Sequence, residues 1–244
     1  MHKGVFITGT DTNVGKTFVA ACLLSYLRKQ GYNYTYMKPF QSGSVKQGGK
    51  LFAPDLDFVL ENTKLDGDYD LLNPVRLELP LAPSVAARIE GRDIDVDEVY
   101  LAYQTLQENY TGVLVEGAGG LIVPLFKNYL ITDLIKKLKL PIVIVARAGL
   151  GTINHTLLTV KVAKELGIEI LGIIINGFNR LNKNLAELTN PEVIAELTDV
   201  PILGIIPYIS RLEDGIKNID IANMFSDNIN CSVIHEKLAE GEEN

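Results

Sequence analysis

From Gly9 to Thr17 the chain reads Gly-Thr-Asp-Thr-Asn-Val-Gly-Lys-Thr, and the apolar run Val5-Phe6-Ile7-Thr8 precedes it. A glycine-bounded loop between a strand and a helix can hold phosphate. Glycine lets the main chain close around the oxygens, and successive N–H groups at a helix N-terminus form a positive concavity. Lys16 can set a compact charge on the β- and γ-phosphates of ATP. The Thr17 hydroxyl can ligate the Mg²⁺ that accompanies the nucleotide. Five residues separate Gly9 from the Gly15-Lys16 pair, where the common pattern has four. The plain alternative is a structural glycine turn with an exposed lysine. The order strand, loop, Gly-Lys-Thr, helix favours a nucleotide site formed by Asn13, Val14, Gly15, Lys16, Thr17 and Phe18. Other polar residues follow apolar runs directly: Lys38 after Tyr34-Thr35-Tyr36-Met37, Glu116 after Val113-Leu114-Val115, and Asn176 after Ile170 to Ile175.

The elements that must position these groups alternate along the chain. Strands are expected at Val5–Thr8, Tyr34–Met37, Val113–Val115, Ile142–Val145, Ile170–Ile175 and Ile202–Ile206. They are continuously apolar rather than alternating, which marks strands covered on both faces. Helices are expected at 16–30, 53–63, 95–109, 131–138, 152–166 and 182–197, with Asp95 and Glu98 as a capping box and Gly31 and Gly167 as C-caps. This predicts an α/β fold, a doubly wound and mostly parallel sheet with helices on both faces. Ligands in such sheets collect beyond the carboxyl ends of the strands, where Lys38, Glu116 and Asn176 fall. Residues 1–225 are expected to form one domain, and 226–244 a C-terminal helix and acidic tail that frays from Glu236. Residues 40–92 are the least regular, turn-rich from Gly43 to Gly49, and long irregular insertions are often functional.

Of the 244 residues, 47% are hydrophobic and 22% charged, with a formal net charge of −7. That balance argues against broad contact with nucleic acid or an anionic membrane, which need a clustered basic face. No apolar stretch approaches the ~20 residues of a membrane span, and no signal-peptide region precedes the first strand. Cys22 and Cys231 lie far apart without metal-ligand spacing. Cys22, in an apolar helical run, is expected in the core. A cytoplasmic location is expected.

Gly-Thr-Asp-Thr ahead of Val-Gly-Lys-Thr resembles the dethiobiotin synthetase family. Three further segments match in the same order: Lys38-Pro39-Phe40-Gln41-Ser42-Gly43, Val115-Glu116-Gly117-Ala118-Gly119-Gly120, and Gly151 to Thr159. The resemblance implies a reaction in which one amine of 7,8-diaminononanoate takes up CO₂ to form a carbamate. ATP phosphorylates the carbamate, and the second amine closes the ring to a cyclic urea, giving dethiobiotin, ADP and phosphate.

By the same resemblance, Lys38 holds the carbamate and the γ-phosphate, with a solvated strand-end lysine as the plain alternative. Thr12 and Ser42 contact the carbamate and diamine, or serve only as turn hydroxyls. Gly117, Ala118 and Gly119 let the substrate approach the main chain. Glu116 and Asp55 join Thr17 as Mg²⁺ ligands. Asp57, two residues on, competes with Asp55, and an acid at a helix start also arises for dipole reasons alone. Asn176 reads adenine through an amide able to accept and donate, or merely caps a strand; Pro207 shapes the base site. Asn154 reaches the diamine carboxylate of the neighbouring subunit, which implies a homodimer with shared sites; helix N-capping is its alternative. His155 is read as an interface or packing residue.

The chain departs from the family pattern at Asn13, where some members carry glutamate, and at Ala82-Pro83-Ser84, where members often show Ser-Pro-His. Two rival classes share the loop and sheet. Partner-regulated positioning and partitioning ATPases carry a signature lysine early in the loop, where this chain has Thr10. Amidotransferase-type synthetases of cobalamin synthesis need an appended glutaminase domain, for which this chain is too short.

Overall fold

A computed structural model describes residues 4–179, 184–209 and 219–239. The chain opens with β1 (Gly4–Gly9), α1 (Lys16–Lys29) and β2 (Tyr34–Met37). An insertion follows, made of β3 (Phe40–Gln41), β4 (Val45–Gln47), β5 (Lys50–Phe52), α2 (Pro54–Thr63), α3 (Tyr69–Leu72), β6 (Val75–Arg76) and α4 (Pro83–Ile89). Next come α5 (Val96–Asn109), β7 (Gly112–Glu116), β8 (Pro124–Phe126), β9 (Tyr129–Leu130), α6 (Ile131–Leu138) and β10 (Ile142–Arg147). The remainder is α7 (Thr152–Glu165), β11 (Ile170–Phe178), α8 (Leu185–Leu197), β12 (Ile202–Pro207), α9 (Ile221–Asn228) and α10 (Ser232–Ala239).

Six strands form one sheet in the order β12-β11-β10-β1-β7-β2, and every pairing within it is parallel. The chain steps from β1 out to β2, returns to β7, then crosses to β10 on the other side of β1. Right-handed crossovers therefore place α1 on one face and α5 to α8 on the other. α1 packs against α2 and α9, and α7 packs against α8. Cover on both faces is what the apolar strands require: Val5, Phe6, Ile7, Val113, Leu114 and Val115 are all fully buried. Cys22 lies in this core, and both cysteines are free thiols. The direction of travel reverses at β1, so the crevice above β1, β7 and β10 is where a ligand belongs.

Local signals set the element ends. Gly31 donates to the Arg28 carbonyl and Tyr32 to that of Leu27, and Gly167 and Ile168 do the same at Lys164 and Ala163. Both helices thus close with the two-bond C-cap that their glycines predict. The capping box at Asp95 is only half formed. Its carboxylate accepts from the Asp97 N–H at 2.8 Å, whereas Glu98 is exposed and makes no return bond among the described residues. The expected start of the last helix, 182–183, lies outside the described residues. The described helix begins at Leu185, where Asn184 accepts from the Ala186 N–H at 3.0 Å.

The stretch read as turn-rich is partly a hairpin. β4 pairs antiparallel with β5 around Gly48 and Gly49, whose φ values of 57° and 83° are those a two-residue hairpin turn demands. At the other end, α9 runs through residue 225 with Phe225 buried, and α10 follows with Ile234 buried. Residues 240–244, the end of the expected acidic tail, lie outside the described residues.

Candidate active site

The loop between β1 and α1 is fixed from several sides. The Thr10 N–H donates to the Val145 carbonyl at 2.9 Å, tying it to β10. Val14 is buried as its apolar anchor. Gly15 has φ of 92°, and a Cβ there would lie 2.0 Å from Asn176 Nδ2. Only glycine fits. In return Asn176 Nδ2 donates to the Val14 carbonyl at 3.0 Å, so strand β11 braces the phosphate loop. Gly15 is also the N-cap of α1 and offers no side-chain acceptor. The first N–H groups of the helix are thereby left for an anion.

Lys16 is buried, and its ammonium donates to the Asp11 carbonyl at 3.0 Å. Burial, then the neighbouring Lys38 charge, pulls its pKa down to about 8. A bound triphosphate favours the charged form. ATP affinity should therefore be full below that value and fall, by up to about tenfold per pH unit, as pH rises through it. Calorimetric titration with a non-hydrolysable ATP analogue at about pH 7 and about pH 9 checks this sign.

Strand register builds the second half of the site. Met37 on β2 pairs with Val115 on β7, so Lys38 and Glu116 emerge side by side at the carboxyl edge. Lys38 Nζ lies 2.6 Å from Glu116 Oε1 and 2.7 Å from Asp55 Oδ2. The Thr17 hydroxyl donates to the same Glu116 Oε1 at 2.8 Å, and the Tyr36 hydroxyl donates to Oε2 at 2.7 Å. Lys38 is 2% exposed, so it is no solvated strand-end lysine. Burial pulls its pKa down, but Glu116 and Asp55 outweigh that and hold it above the ordinary value. For Asp55, burial acts upward and the Lys38 charge more than reverses it, leaving the carboxyl below its usual range. Burial, then the Glu116 and Asp55 charges, pushes the Tyr36 phenol well above the ordinary tyrosine value. The Lys38 main chain is held too: its N–H donates to the Leu72 carbonyl at 2.8 Å, and Asn73 Nδ2 donates to the Lys38 carbonyl.

Asp55 and Asp57 part company here. Asp57 accepts from the Tyr69 hydroxyl at 2.8 Å, and that hydroxyl accepts from the Ala53 N–H at 2.7 Å, which steadies the start of α2. Asp55 alone of the pair faces the cleft. Asp55→Asn should raise the Mg²⁺ concentration for half-maximal turnover at least ~10-fold, the scale seen even for groups behind a metal ligand. Asp57→Asn should leave that concentration at the wild-type value. Mg²⁺ titrations of both variants decide the matter.

Two clefts adjoin. The larger, about 730 Å³, is lined by Thr12, Lys16, Lys38, Ser42, Asp55 and Glu116, with Thr17, Ala118 and Gly119 also on its walls. The smaller, about 340 Å³, holds Val14, Phe18, Arg147, Asn176 and Pro207. Asn13 and Gly15 line both and form the bridge between them. The first suits a phosphate tail and a polar substrate, and the second a flat base.

Two expected residues stand apart. Gly117 is absent from either wall, because its carbonyl accepts from Lys38 Nζ at 3.3 Å and is turned inward. Asn154 lies exposed on α7 and lines neither cleft. Gly151, not Asn154, is the N-cap of that helix, which removes the capping alternative. Leu150 and Leu158 are exposed nearby, at 85% and 53%. Of the departures, Asn13 and the Ala82-Pro83 pair line the larger cleft, and Ser84 is not on its wall. Arg147 and Tyr36 also belong to the site, though neither lies in a motif. Arg147 ends β10 and sits 3.6 Å from Asp11, so the strand-end rule would have found it. Tyr36 looked like one more core strand residue.

The donor set suits one kind of cation. Thr17, Asp55 and Glu116 offer oxygen only, which fits Mg²⁺ when phosphate and water oxygens supply the rest. Among the described residues no group of three or more His, Cys, Asp or Glu side chains forms a self-sufficient metal site.

A parallel sheet whose first strand feeds a glycine-bounded loop, a buried lysine and an open helix N-terminus defines a P-loop nucleotide-binding protein. Solved structures share this fold. They include septum site-determining protein MinD, complexed with Mg-ADP, from Pyrococcus horikoshii (TM-score 0.56, 18% identity, 100% of this chain and 97% of that one). The MinC:MinD cell division complex of Aquifex aeolicus is another (TM-score 0.59, 16% identity, 97% and 96%). At such identities the likeness is one of fold alone. A family described as "AAA domain" matches residues 3–215. Curated relatives go further. The ATP-dependent dethiobiotin synthetase BioD of Thermodesulfovibrio yellowstonii is 43% identical over 239 residues, covering 93% of this chain and 100% of its own. That of Anoxybacillus flavithermus is 47% identical, covering 86% and 93%. That of Bacillus subtilis strain 168 is 39% identical, covering 97% and 99%. The chain belongs to the dethiobiotin synthetase family.

Proposed function

We propose that the chain is an ATP-dependent dethiobiotin synthetase that converts 7,8-diaminononanoate and CO₂ to dethiobiotin, ADP and phosphate. One observation carries this reading. Lys16, Lys38 and the Asp55–Glu116 carboxylates converge in a cleft whose other walls carry the Thr12 and Ser42 hydroxyls, beside a second, base-sized cleft.

Phosphoryl transfer needs little covalent work from the protein; positioning and charge neutralisation suffice. In this reading Asn176 pairs with the adenine edge and Pro207 flanks the base. The N–H groups from Asn13 to Phe18 hold the phosphates, and Lys16 leaves the Asp11 carbonyl for the γ-phosphate. Thr12, Ser42 and the Ala118-Gly119 main chain orient the diamine; Gly117, its carbonyl turned to Lys38, acts only by holding that lysine. Lys38 holds the carbamate anion against the γ-phosphate. Thr17, Asp55 and Glu116 would hold Mg²⁺, which when bound neutralises charge on the transferred group. The carbamate oxygen takes the γ-phosphoryl group as its bond to ADP breaks; the second amine then attacks the carbamoyl carbon, losing a proton as the urea ring closes and phosphate leaves.

Asn176→Ala should weaken nucleotide binding by about tenfold, since a bidentate amide–base contact is worth ~1–3 kcal/mol. Calorimetric titration with ADP checks it. We also place the enzyme in the cytoplasm, as a homodimer in which Asn154 completes the neighbouring subunit's diamine site. Among the described residues no helix is long and apolar enough to cross a membrane.

The test is phosphate release from ATP, Mg²⁺ and bicarbonate, with and without the diamine. Strong dependence on the diamine is expected. Diamine-independent hydrolysis, raised instead by a membrane or DNA partner, would favour a positioning ATPase and overturn the reading.

A further inference from the structure

Glu116 is 1% exposed, and its two oxygens are divided between different partners. Oε1 takes the Thr17 hydroxyl and the Lys38 ammonium. Oε2 takes the Tyr36 hydroxyl at 2.7 Å. Tyr36 is fully buried in the middle of β2 and pairs with Leu114, two residues before Glu116 on β7. Side chains two apart share a face of the sheet. Tyr36, Lys38, Leu114 and Glu116 therefore project to the same side, and the Tyr36 ring carries its hydroxyl to the far oxygen of Glu116. Packing alone would be served as well by phenylalanine.

We infer that Tyr36 is a positioning residue for the phosphoryl-transfer centre: its hydroxyl occupies Glu116 Oε2 and fixes the carboxylate so that Oε1 alone faces Thr17, Lys38 and the nucleotide. The inference rests on the proposed role of Glu116 as a cation ligand. A glutamate carboxylate, on three rotatable bonds at the end of a strand, could otherwise turn, presenting either oxygen or both. Groups that orient a ligand in this way typically govern affinity 10- to 100-fold.

The experiment uses the full chain with ADP and Mn²⁺, reading free Mn²⁺ by electron paramagnetic resonance. Tyr36→Phe keeps the ring and its packing. It should raise the Mn²⁺ dissociation constant by about tenfold or more, while ADP binding in EDTA stays at the wild-type value. Glu116→Gln is measured alongside. If Glu116→Gln loses Mn²⁺ and Tyr36→Phe binds it as wild type does, whatever its melting temperature, the role of Tyr36 is overturned. If Glu116→Gln also binds Mn²⁺ normally, the assignment of Glu116 itself fails, and the inference falls with it.

Discussion

Lys38→Ala is expected to lose turnover by a factor of ~10² or more, the scale for removing a buried electrostatic donor, and to lose stability as well. The two effects share one cause. In the folded protein the Lys38 ammonium is within 2.7 Å of both Asp55 and Glu116. Removing it leaves two carboxylates close together, one almost wholly out of water. Breaking such a pair costs about 3–5 kcal/mol, and the lower end applies because Asp55 remains partly hydrated. The loss depends on pH in a fixed direction. Despite burial, Lys38 holds the Asp55 carboxyl below its ordinary value. Its contribution is therefore complete above the ordinary carboxylate range and is lost as pH falls through the lowered value. Wild type and Lys38→Ala should accordingly differ most near neutrality and converge in acid. Denaturant unfolding across pH, beside turnover at saturating diamine, checks both halves. Near wild-type turnover in a purified variant would show that Lys38 plays no part in the chemistry.

Lys16→Ala should lose turnover on the same scale, ~10²-fold or more, yet without the loss of stability. Lys16 pays for its position. Burial and then the charge of Lys38 nearby depress its pKa to about 8, and its short contact is to a carbonyl rather than a carboxylate. Its removal relieves a strained charge rather than orphaning a partner. The melting temperature of Lys16→Ala should match or exceed that of wild type while ATP binding fails. The two lysines are thus separable: both variants are inactive, and only one is unstable. Equal destabilisation of both would contradict the charge arrangement described here.

Much of this was legible in the residues. The six sheet strands are apolar runs because helices cover both faces, and a run such as Ile142 to Val145 states that directly. The loop was legible because strand, glycine, Gly-Lys-Thr and helix occur in order. Lys38, Glu116 and Asn176 could be placed at the ligand edge because each directly follows an apolar run, although Glu116 is itself the last residue of β7 and Asn176 lies within β11. Contacts that depend on register across distant segments were not legible. The pairing of Met37 with Val115, which sets Lys38 against Glu116, carries no local signature. The choice between Asp55 and Asp57 turns on Tyr69, which lies beyond the helix that carries them. Tyr36 hides in an apolar strand, and its hydroxyl acquires a purpose only when β7 lies beside it. The hairpin at Gly48-Gly49 was obscured by its short, exposed strands, which lack the apolar pattern that marks buried ones.

The most direct test of the account follows one carbon atom. The enzyme is supplied with ATP, Mg²⁺, the diamine and carbon-13 bicarbonate, and phosphate and product are measured together by colorimetry and mass spectrometry. Dethiobiotin labelled at its ureido carbon is expected, in equal amount to the phosphate released. Phosphate released at the same rate without a labelled cyclic urea would contradict it.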